Sequence, residues 1–198
     1  MQPVSTSPLV RKYSLREFQA LPEPKDGTKF ELIAGVLYMS PPPDFPHNLS
    51  SASLSRLFIL HLNEIGDQGI VFTPRAAIWK TPATYIEPDL FYISARTARE
   101  IDLRKPDRAD LVVEIVSPGT VLYDRNTKAD TYSALGVREL WLVDPVNETV
   151  EIRNLKRGAK TYSPGITFRR GEQVKSRVLP GFAPSVTDIC KHSVPRKR

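Results

Sequence analysis

Apolar residues recur along the chain at helical and at alternating spacings, and these spacings predict its main elements. Residues 47–65 carry apolar side chains at helical spacing and end at Gly66, which predicts a long helix. The same spacing predicts a second helix over 124–135, closed by Gly136. A shorter helix is predicted to begin at Ser14, because a glutamate follows three positions later, as in a capping box.

The segments with strand-like composition are FELIAG, VLYMS, GIVFT, RAAIW, EPDLFYI, DLVVEIV, RELWLVDP, ETVEIRNL, KTYSPG and LPGF. The first two meet at Gly35 and predict a hairpin. DLVVEIV is apolar on both faces, as expected of a central strand covered on both sides. We therefore predict one α/β or α+β sheet domain over residues 13–190. Residues 1–12 are interpreted as a flexible arm and residues 191–198 as a basic tail.

The composition is that of an ordinary globular protein, with 40% hydrophobic and 25% charged residues. No apolar run approaches the roughly 20 residues that span a bilayer, and residues 1–14 lack the apolar core of a secretory signal. The single cysteine, Cys190, argues against a disulfide framework and a cysteine-rich zinc site. We expect a cytoplasmic protein without membrane contact.

Charge is distributed unevenly along the chain, although the net value is only +6. Residues 1–152 carry 16 Lys/Arg and 20 Asp/Glu, a net charge of −4, whereas residues 153–198 carry 12 and 2, a net charge of +10. This asymmetry indicates an anionic partner for the last part of the chain, with a merely solvated surface as the alternative. The candidates for contact with nucleic-acid phosphates are Arg153, Lys156, Arg157, Lys160, Arg169 and Arg170.

Glu114 is the most informative residue, because alternation places it in mid-strand on the same face as Val112 and Val116. A buried carboxylate without a positive partner costs several kcal/mol. An arginine salt bridge would meet this need, and so would a metal ion. Asp89 opens the strand EPDLFYI, 25 residues earlier. If the two strands are neighbours, both carboxylates can point into one cleft and suit Mg²⁺, whereas zinc would require His or Cys ligands.

Lys128 follows Glu114 in the predicted second helix, one turn after Asp124. The pair could be a surface Asp–Lys contact worth a few tenths of a kcal/mol. Alternatively, the helix packs across the strand end and directs the Lys128 ammonium into the cleft, where it would stabilise developing negative charge. The spacing alone leaves both interpretations open.

Several segments together resemble the Uma-two family of restriction-endonuclease-like proteins, within the PD-(D/E)XK nuclease superfamily. They are YSLREFQAL, FELIAGVLYMSPPP with the histidine that follows, EPDLFYI, DLVVEIVSPGT, DRNTKADTYSALGVRELWLVDP and LPGF. The resemblance extends from Tyr13 to Ile189. It implies a central mixed β-sheet flanked by helices, with metal-binding carboxylates on adjacent strands.

The resemblance also implies roles for individual residues. Asp89 matches the aspartate of the PD motif, and Glu114 matches the acidic residue of the second half-motif. The superfamily lysine would stand two residues after Glu114, where this chain has Val116, so Lys128 is expected to take its role. Asp89, Glu114 and the carbonyl of Ile115 would then hold one Mg²⁺, for which Mn²⁺ can substitute.

The same resemblance makes Glu31 a fourth catalytic-site candidate and His47 and Ser117 auxiliary candidates. Glu31 would support the ligands or act as a third one, unless it is only a partly exposed hairpin carboxylate. His47 would touch a phosphate or a metal-bound water, with helix capping or packing as the alternative, and Ser117 would donate a hydrogen bond near the site. Structural roles are expected for Tyr132 in helix packing, for Glu139 as a strand-end charge and for Asp144 in a turn.

The resulting hypothesis is a Mg²⁺-dependent endonuclease that hydrolyses nucleic-acid phosphodiester bonds, with DNA as the expected substrate and a homodimer left open. A catalytically silent nucleic-acid-binding protein of the same fold is the first alternative, and a dimeric interaction protein is another. Paired carboxylates also serve glycosidases, but aromatic residues make up only 9% of the chain.

Overall fold

The computed structural model describes residues 10–117 and 119–190. Most of the predicted arm and all of the predicted basic tail lie outside this range. The strands are β1 Lys29–Ile33, β2 Val36–Ser40, β3 Ile70–Phe72, β4 Ile78–Lys80, β5 Thr84–Ile86, β6 Leu90–Ile93, β7 Leu111–Ile115, β8 Glu139–Asp144, β9 Thr149–Asn154 and β10 Ile166–Arg169. The α-helices are α1 Leu15–Gln19, α2 Phe45–Ile65, α3 Ala95–Ala98, α4 Ala129–Ala134 and α5 Val186–Ile189, and a π-helix, Tyr123–Lys128, precedes α4.

The strands form two sheets. A six-stranded sheet has the order β10-β9-β8-β7-β6-β3, and a four-stranded sheet has the order β2-β1-β5-β4. In the larger sheet β7 pairs antiparallel with β6 and parallel with β8, so the sheet is mixed as expected. The predicted hairpin is also confirmed, because β1 pairs antiparallel with β2 across Gly35.

Helix α2 covers one face of the six-stranded sheet. Asp44 is its N-cap, and its side chain accepts a hydrogen bond from the backbone N–H of His47. The helix begins two residues before the predicted start, because Pro46 is tolerated in a first turn where N–H groups lack helical partners. It ends at Gly66, whose φ of 66° is the left-handed conformation of a helix C-cap.

Alternation along β7 separates two hydrophobic cores, as predicted. Leu111, Val113 and Ile115 pack in one core with α2, whereas Val112 and Val116 pack in the other. The first core also contains Leu54, Phe58, Trp141 and Phe182, and the second contains Ile78, Ile86, Phe91, Ala129 and Tyr132. Glu114 belongs to the second face, so its carboxylate points towards the π-helix and α4.

Three sequence-based predictions need correction. The helix predicted over 124–135 begins as a π-helix and becomes α-helical only at Ala129. KTYSPG is not a strand, because Pro164 has no N–H for a ladder and β10 starts after it. LPGF is a turn, in which Phe182 N donates to Leu179 O at 3.1 Å and Gly181 has a φ of 78°. In the part of the chain that the structure describes, no helix is long and apolar enough to cross a membrane.

Candidate active site

A cleft opens where β6 begins and β7 ends. Asp89 immediately precedes β6, and Glu114 is the fourth residue of β7. Leu90 pairs with Val113, so the two carboxylates start from neighbouring positions on adjacent strands, as the sequence-based hypothesis required. The cleft has a volume of about 340 Å³. Its ionisable lining residues are Lys29, Asp44, His47, Arg75, Asp89, Glu114, Asp124 and Lys128.

The buried Asp89 carboxylate faces donors on both oxygens. Oδ2 accepts a hydrogen bond from Ile115 N at 2.8 Å and lies 3.1 Å from Nε2 of His47. Oδ1 lies 3.6 Å from Nζ of Lys29, beyond hydrogen-bonding distance. Burial alone would raise the pKa of Asp89, but the hydrogen bond with His47 and the charge of Lys29 hold it well below its usual value. Asp89 is therefore ionised at neutral pH, and Oδ1 retains lone pairs for a ligand.

Glu114 is held by two groups from the helical segment that follows it. Nζ of Lys128 donates to both carboxylate oxygens at 3.1 Å, and the Tyr132 hydroxyl donates to Oε1. Burial raises the pKa of Glu114 well above its usual value, and the nearby Lys128 charge offsets only part of this increase. Because Oε2 has fewer donors than Oε1, it is the oxygen better able to accept a further ligand.

Lys128 is only 3% exposed and lies among three carboxylates. Its Nζ is 3.1 Å from Glu114, 3.2 Å from Glu31 and 3.6 Å from Asp124. Burial would lower the pKa of Lys128, but the charges of these carboxylates raise it well above its usual value. The helical segment thus directs Lys128 into the site, as predicted. The pair with Asp124 is also present, but it is buried rather than on the surface.

Glu31 is fully buried, so the alternative of a partly exposed hairpin carboxylate is wrong. Its Oε1 accepts a hydrogen bond from Glu87 N at 2.8 Å. Its Oε2 accepts one from the Tyr123 hydroxyl at 3.2 Å and also faces Lys128. Because both oxygens are engaged, Glu31 is suited to fixing the Lys128 ammonium and has little capacity left for a metal ion.

Several charged residues of the site were not identified by the sequence analysis. Lys29 donates through Nζ to the backbone oxygen of Glu87 at 2.9 Å. It precedes Glu31 by two positions on β1, and alternation along that strand could have revealed it. Glu87 stands two residues before Asp89 and is 3% exposed. Arg75 lies in the loop between β3 and β4, where no periodicity points to it.

Carboxylates outnumber lysine and arginine side chains around the cleft. The buried carboxylates are Glu31, Glu87, Asp89, Glu114 and Asp124. Their lysine and arginine partners are Lys29, Arg75 and Lys128, and His47 lies against Asp89. Among the described residues of the cluster, five carboxylates therefore face three lysine and arginine side chains. Burial accordingly raises the pKa values of Glu87, Glu114 and Asp124. A divalent cation would compensate for this excess of carboxylates.

The available ligand atoms suit Mg²⁺ better than a metal whose ligands must all come from protein side chains. Within residues 10–117 and 119–190, no group of three or more His, Cys, Asp or Glu side chains is arranged to hold a metal ion. Mg²⁺ needs only one or two carboxylates, because water and substrate phosphates fill its other positions. Asp89 Oδ1 and Glu114 Oε2 offer this pair of hard ligands. A ligand role for the carbonyl of Ile115, which lines the cleft, stays a prediction.

The auxiliary candidates occupy distinct positions. The imidazole of His47 contacts Asp89, while its backbone N–H contributes to the N-terminal cap of α2. Its Nδ1 is buried and makes no hydrogen bond within the described structure. Ser117 lines the cleft, with its Oγ 3.0 Å from Thr120 Oγ1. Val116, where the superfamily has a lysine, is buried in the second core.

The six basic residues of the last third do not line this cleft. They lie on or after β9, which β8 separates from β7 in the sheet order. Arg153 pairs with Glu151, and Arg170 pairs with Glu148. Lys156, Arg157, Lys160 and Arg169 are exposed. Contact between this surface and nucleic acid stays a prediction.

The three residues with expected structural roles stand where they were predicted, and two of them make additional hydrogen bonds. Tyr132 packs in the second core, and its hydroxyl also donates a hydrogen bond to Glu114. Glu139 begins β8 and is fully buried, and it accepts hydrogen bonds from Trp141 Nε1 and Arg177 N, both at 2.7 Å. Asp144 has the predicted turn role, since its Oδ1 accepts a hydrogen bond from Asn147 N at 2.9 Å.

Known structures place this architecture in a recognised class. The chain aligns with the crystal structure of a putative nuclease belonging to DUF820 from Anabaena variabilis ATCC 29413, with a TM-score of 0.71 and 17% identity. The alignment covers 90% of this chain and 97% of that one, which establishes a restriction-endonuclease-like fold. Residues 15–187 match the Uma2 family, described as "Putative restriction endonuclease". The chain belongs to the Uma2 family.

Two further comparisons add little. The type IIG restriction endonuclease BpuSI aligns with a TM-score of 0.41 and 13% identity, over 75% of this chain and 16% of that one. This likeness is too weak to support an inference. No protein with a curated description matches the chain. Family membership therefore defines the class of the protein, which is a nuclease.

Proposed function

We propose that this protein is a metal-dependent endonuclease that hydrolyses phosphodiester bonds, with DNA as the substrate and Mg²⁺ as the metal. The observation that carries the proposal is the meeting of Asp89 and Glu114 in one cleft, together with the excess of buried carboxylates over lysine and arginine side chains among the described residues around them. A buried cluster of this kind is costly unless a cation compensates it. The remaining room in the cleft suits a phosphate group.

The bound metal would supply Lewis acidity at the phosphodiester. Asp89 and Glu114 would hold it through Oδ1 and Oε2. The backbone N–H of Ile115 and the imidazole of His47 fix the orientation of Asp89. Because these partners bind Oδ2, Oδ1 is left to face the ligand.

Lys128 has two tasks in this proposal. Its ammonium orients the Glu114 carboxylate through two hydrogen bonds. It also places a fixed positive charge beside the cleft, where negative charge develops on the phosphate oxygens during hydrolysis. Glu31 and Asp124 keep the ammonium in position, and Tyr132 completes the hydrogen bonding of Glu114.

The test is cleavage of duplex DNA by the purified chain, with Mg²⁺, with Mn²⁺ and with EDTA. We expect metal-dependent cleavage by the wild type and none by Asp89→Asn, because asparagine can still accept the Ile115 hydrogen bond but lacks the ligand charge. Asp102→Asn is the matched control, since Asp102 is half-exposed and forms an ion pair with nearby Arg104. Single-stranded DNA and RNA in parallel reactions identify the substrate form. Cleavage by Asp89→Asn at the wild-type rate would refute the proposal.

A nucleic-acid-binding protein without activity is the second candidate. It is favoured by Val116 at the usual lysine position and by the binding of Lys128 to three carboxylates. This candidate predicts that the wild type and Glu114→Gln both bind DNA and that neither cleaves it. Cleavage by the wild type that Glu114→Gln abolishes would exclude it.

A further inference from the structure

Arg75 has a backbone conformation with positive φ, which favours glycine over arginine. Ala76 N donates to Thr73 O at 3.3 Å, which closes a four-residue turn with Pro74 in its second position. Arg75 occupies the third position with a φ of 76°. Proline followed by a residue with positive φ is the pattern of a type II turn, in which the third position favours glycine. An arginine there is a strained choice.

Packing does not compensate for this strain, because the Arg75 side chain is 60% exposed. Arg75 lines the same cleft as Asp89 and Glu114. Its one ion pair in the described structure joins Nη1 of the guanidinium to Oε2 of Glu87 at 3.3 Å. An ion pair with a largely exposed partner contributes little stability. The stability of the turn therefore does not explain why an arginine stands at this position.

Glu87 is built to hold this arginine in place. Its side chain is 4% exposed, and its Oε1 accepts a hydrogen bond from the Tyr85 hydroxyl at 2.5 Å. Its Oε2 is buried and makes no hydrogen bond within the described part of the chain, but it faces Arg75. A fixed carboxylate thus directs the guanidinium, while most of its five N–H donors have no partner among the described residues. Paired N–H donors match the oxygens of a phosphate group.

We propose that Arg75 forms a phosphate-binding position on the wall of the cleft, with Glu87 as the residue that positions its guanidinium. The ligand is a backbone phosphate of the nucleic-acid strand in the cleft, other than the phosphate that is hydrolysed. This inference rests on the proposed function, since it assumes nucleic acid as the substrate. The position selects for the phosphate backbone and not for base sequence.

The experiment measures binding of a fluorescein-labelled DNA duplex by anisotropy, over a series of salt concentrations in EDTA. Each protein–phosphate ion pair contributes about 0.9 to the slope of log affinity against log salt. We expect Arg75→Ala to weaken binding and to lower the slope by about this amount. Arg104→Ala is the control, because Arg104 is also exposed and paired with a carboxylate but lies outside the cleft lining. It should leave the slope unchanged.

Two further variants separate binding from folding. Arg75→Gly should lose as much affinity as Arg75→Ala. It should nevertheless unfold at a higher temperature than Arg75→Ala, because glycine adopts the positive φ without cost. Glu87→Gln should weaken binding in the wild-type background and have no effect in the Arg75→Ala background, as expected of a positioning residue. A loss of affinity in Arg75→Ala that Arg75→Gly restores would contradict the proposal, because it would indicate only a folding defect.

Cleavage assays distinguish this inference from the proposed function. A wild type that binds the duplex but does not cleave it with Mg²⁺ or Mn²⁺ would refute the nuclease. In that case the lower salt slope of Arg75→Ala would still support the phosphate contact. A wild type that cleaves, together with an Arg75→Ala variant of unchanged salt slope, would overturn the phosphate contact and leave the nuclease standing.

Discussion

Lys128 donates through Nζ to both carboxylate oxygens of Glu114, at 3.1 Å each, although the two residues are 14 positions apart. The strand β7 and the π-helix that follows are therefore joined at the site by a buried ion pair. Removing Lys128 would leave the buried carboxylates around it without their common cation, which costs far more than the pair contributes.

Glu114→Ala should lower the free energy of unfolding by about 1–3 kcal/mol, because it leaves the buried Tyr132 hydroxyl without an acceptor. The Lys128 ammonium keeps Glu31 and Asp124 as partners. Glu114→Gln should lose less stability, since the amide keeps the side-chain volume and one acceptor oxygen. Urea denaturation measures both values. Glu64→Ala, at an exposed helical carboxylate, is the control and should stay within about 0.5 kcal/mol of the wild type. Equal stability of Glu114→Ala and the wild type would contradict the prediction.

Lys128→Met should lose about 3–5 kcal/mol at about pH 8, where its carboxylate neighbours are ionised. Removing the ammonium raises the already high pKa values of Glu114 and Asp124 further. A carboxylate with a raised folded pKa destabilises the fold only as the pH rises above its unfolded value, here 4.5 for Glu114 and 3.8 for Asp124. The loss should therefore become smaller towards about pH 5.

Urea denaturation at a series of pH values measures the Lys128→Met effect. Lys80→Met is the control, because Lys80 is half-exposed and pairs with the partly exposed Asp107. A loss of stability independent of pH would argue against the carboxylates as its cause. In the wild type, the raised pKa of Lys128 keeps its own contribution intact below pH 10.5. That contribution should disappear as the pH rises through the folded pKa.

Mg²⁺ should bind more tightly, and raise the melting temperature more, at about pH 8 than at about pH 5. The metal binds ionised carboxylates, and the raised pKa of Glu114 keeps part of the population protonated at acidic pH. Asp89 does not limit binding, because its pKa is lowered. Calorimetry in two buffers of different ionisation enthalpy measures the protons released. Removal of the metal with EDTA should reverse the shift, and a pH-independent affinity would exclude Glu114 as a ligand.

Cys190 should resist alkylation in the folded protein. The thiol is buried in the first core, and burial raises its pKa to about 12. Almost no thiolate is then present at about pH 8. Iodoacetamide labelling, followed by mass spectrometry, should give little product in native buffer and complete reaction in urea. Rapid native labelling would mean that α5 detaches from the core.

The sequence determined much of the framework, because these features depend on local periodicity. Helical spacing located α2 and its end at Gly66, and alternation along β7 placed Glu114 on the face opposite Ile115. The cost of burying Glu114 alone required a positive or metallic partner. The proximity of Asp89 to Glu114 depended on the pairing of β6 with β7, which the sequence suggested but could not establish.

Only the tertiary structure decided which polar and charged groups pair with one another in the site. Tyr123 and Glu31 are 92 positions apart, and Lys29 and the Glu87 carbonyl are 58 apart, so no local pattern could pair them. The strained Arg75 likewise reaches the cleft only because its turn lies against Glu87. Sequence periodicity specifies which face of an element is buried, because burial is a property of each element's own spacing. Which charges meet inside depends on how the elements pack, and that is set by the fold as a whole.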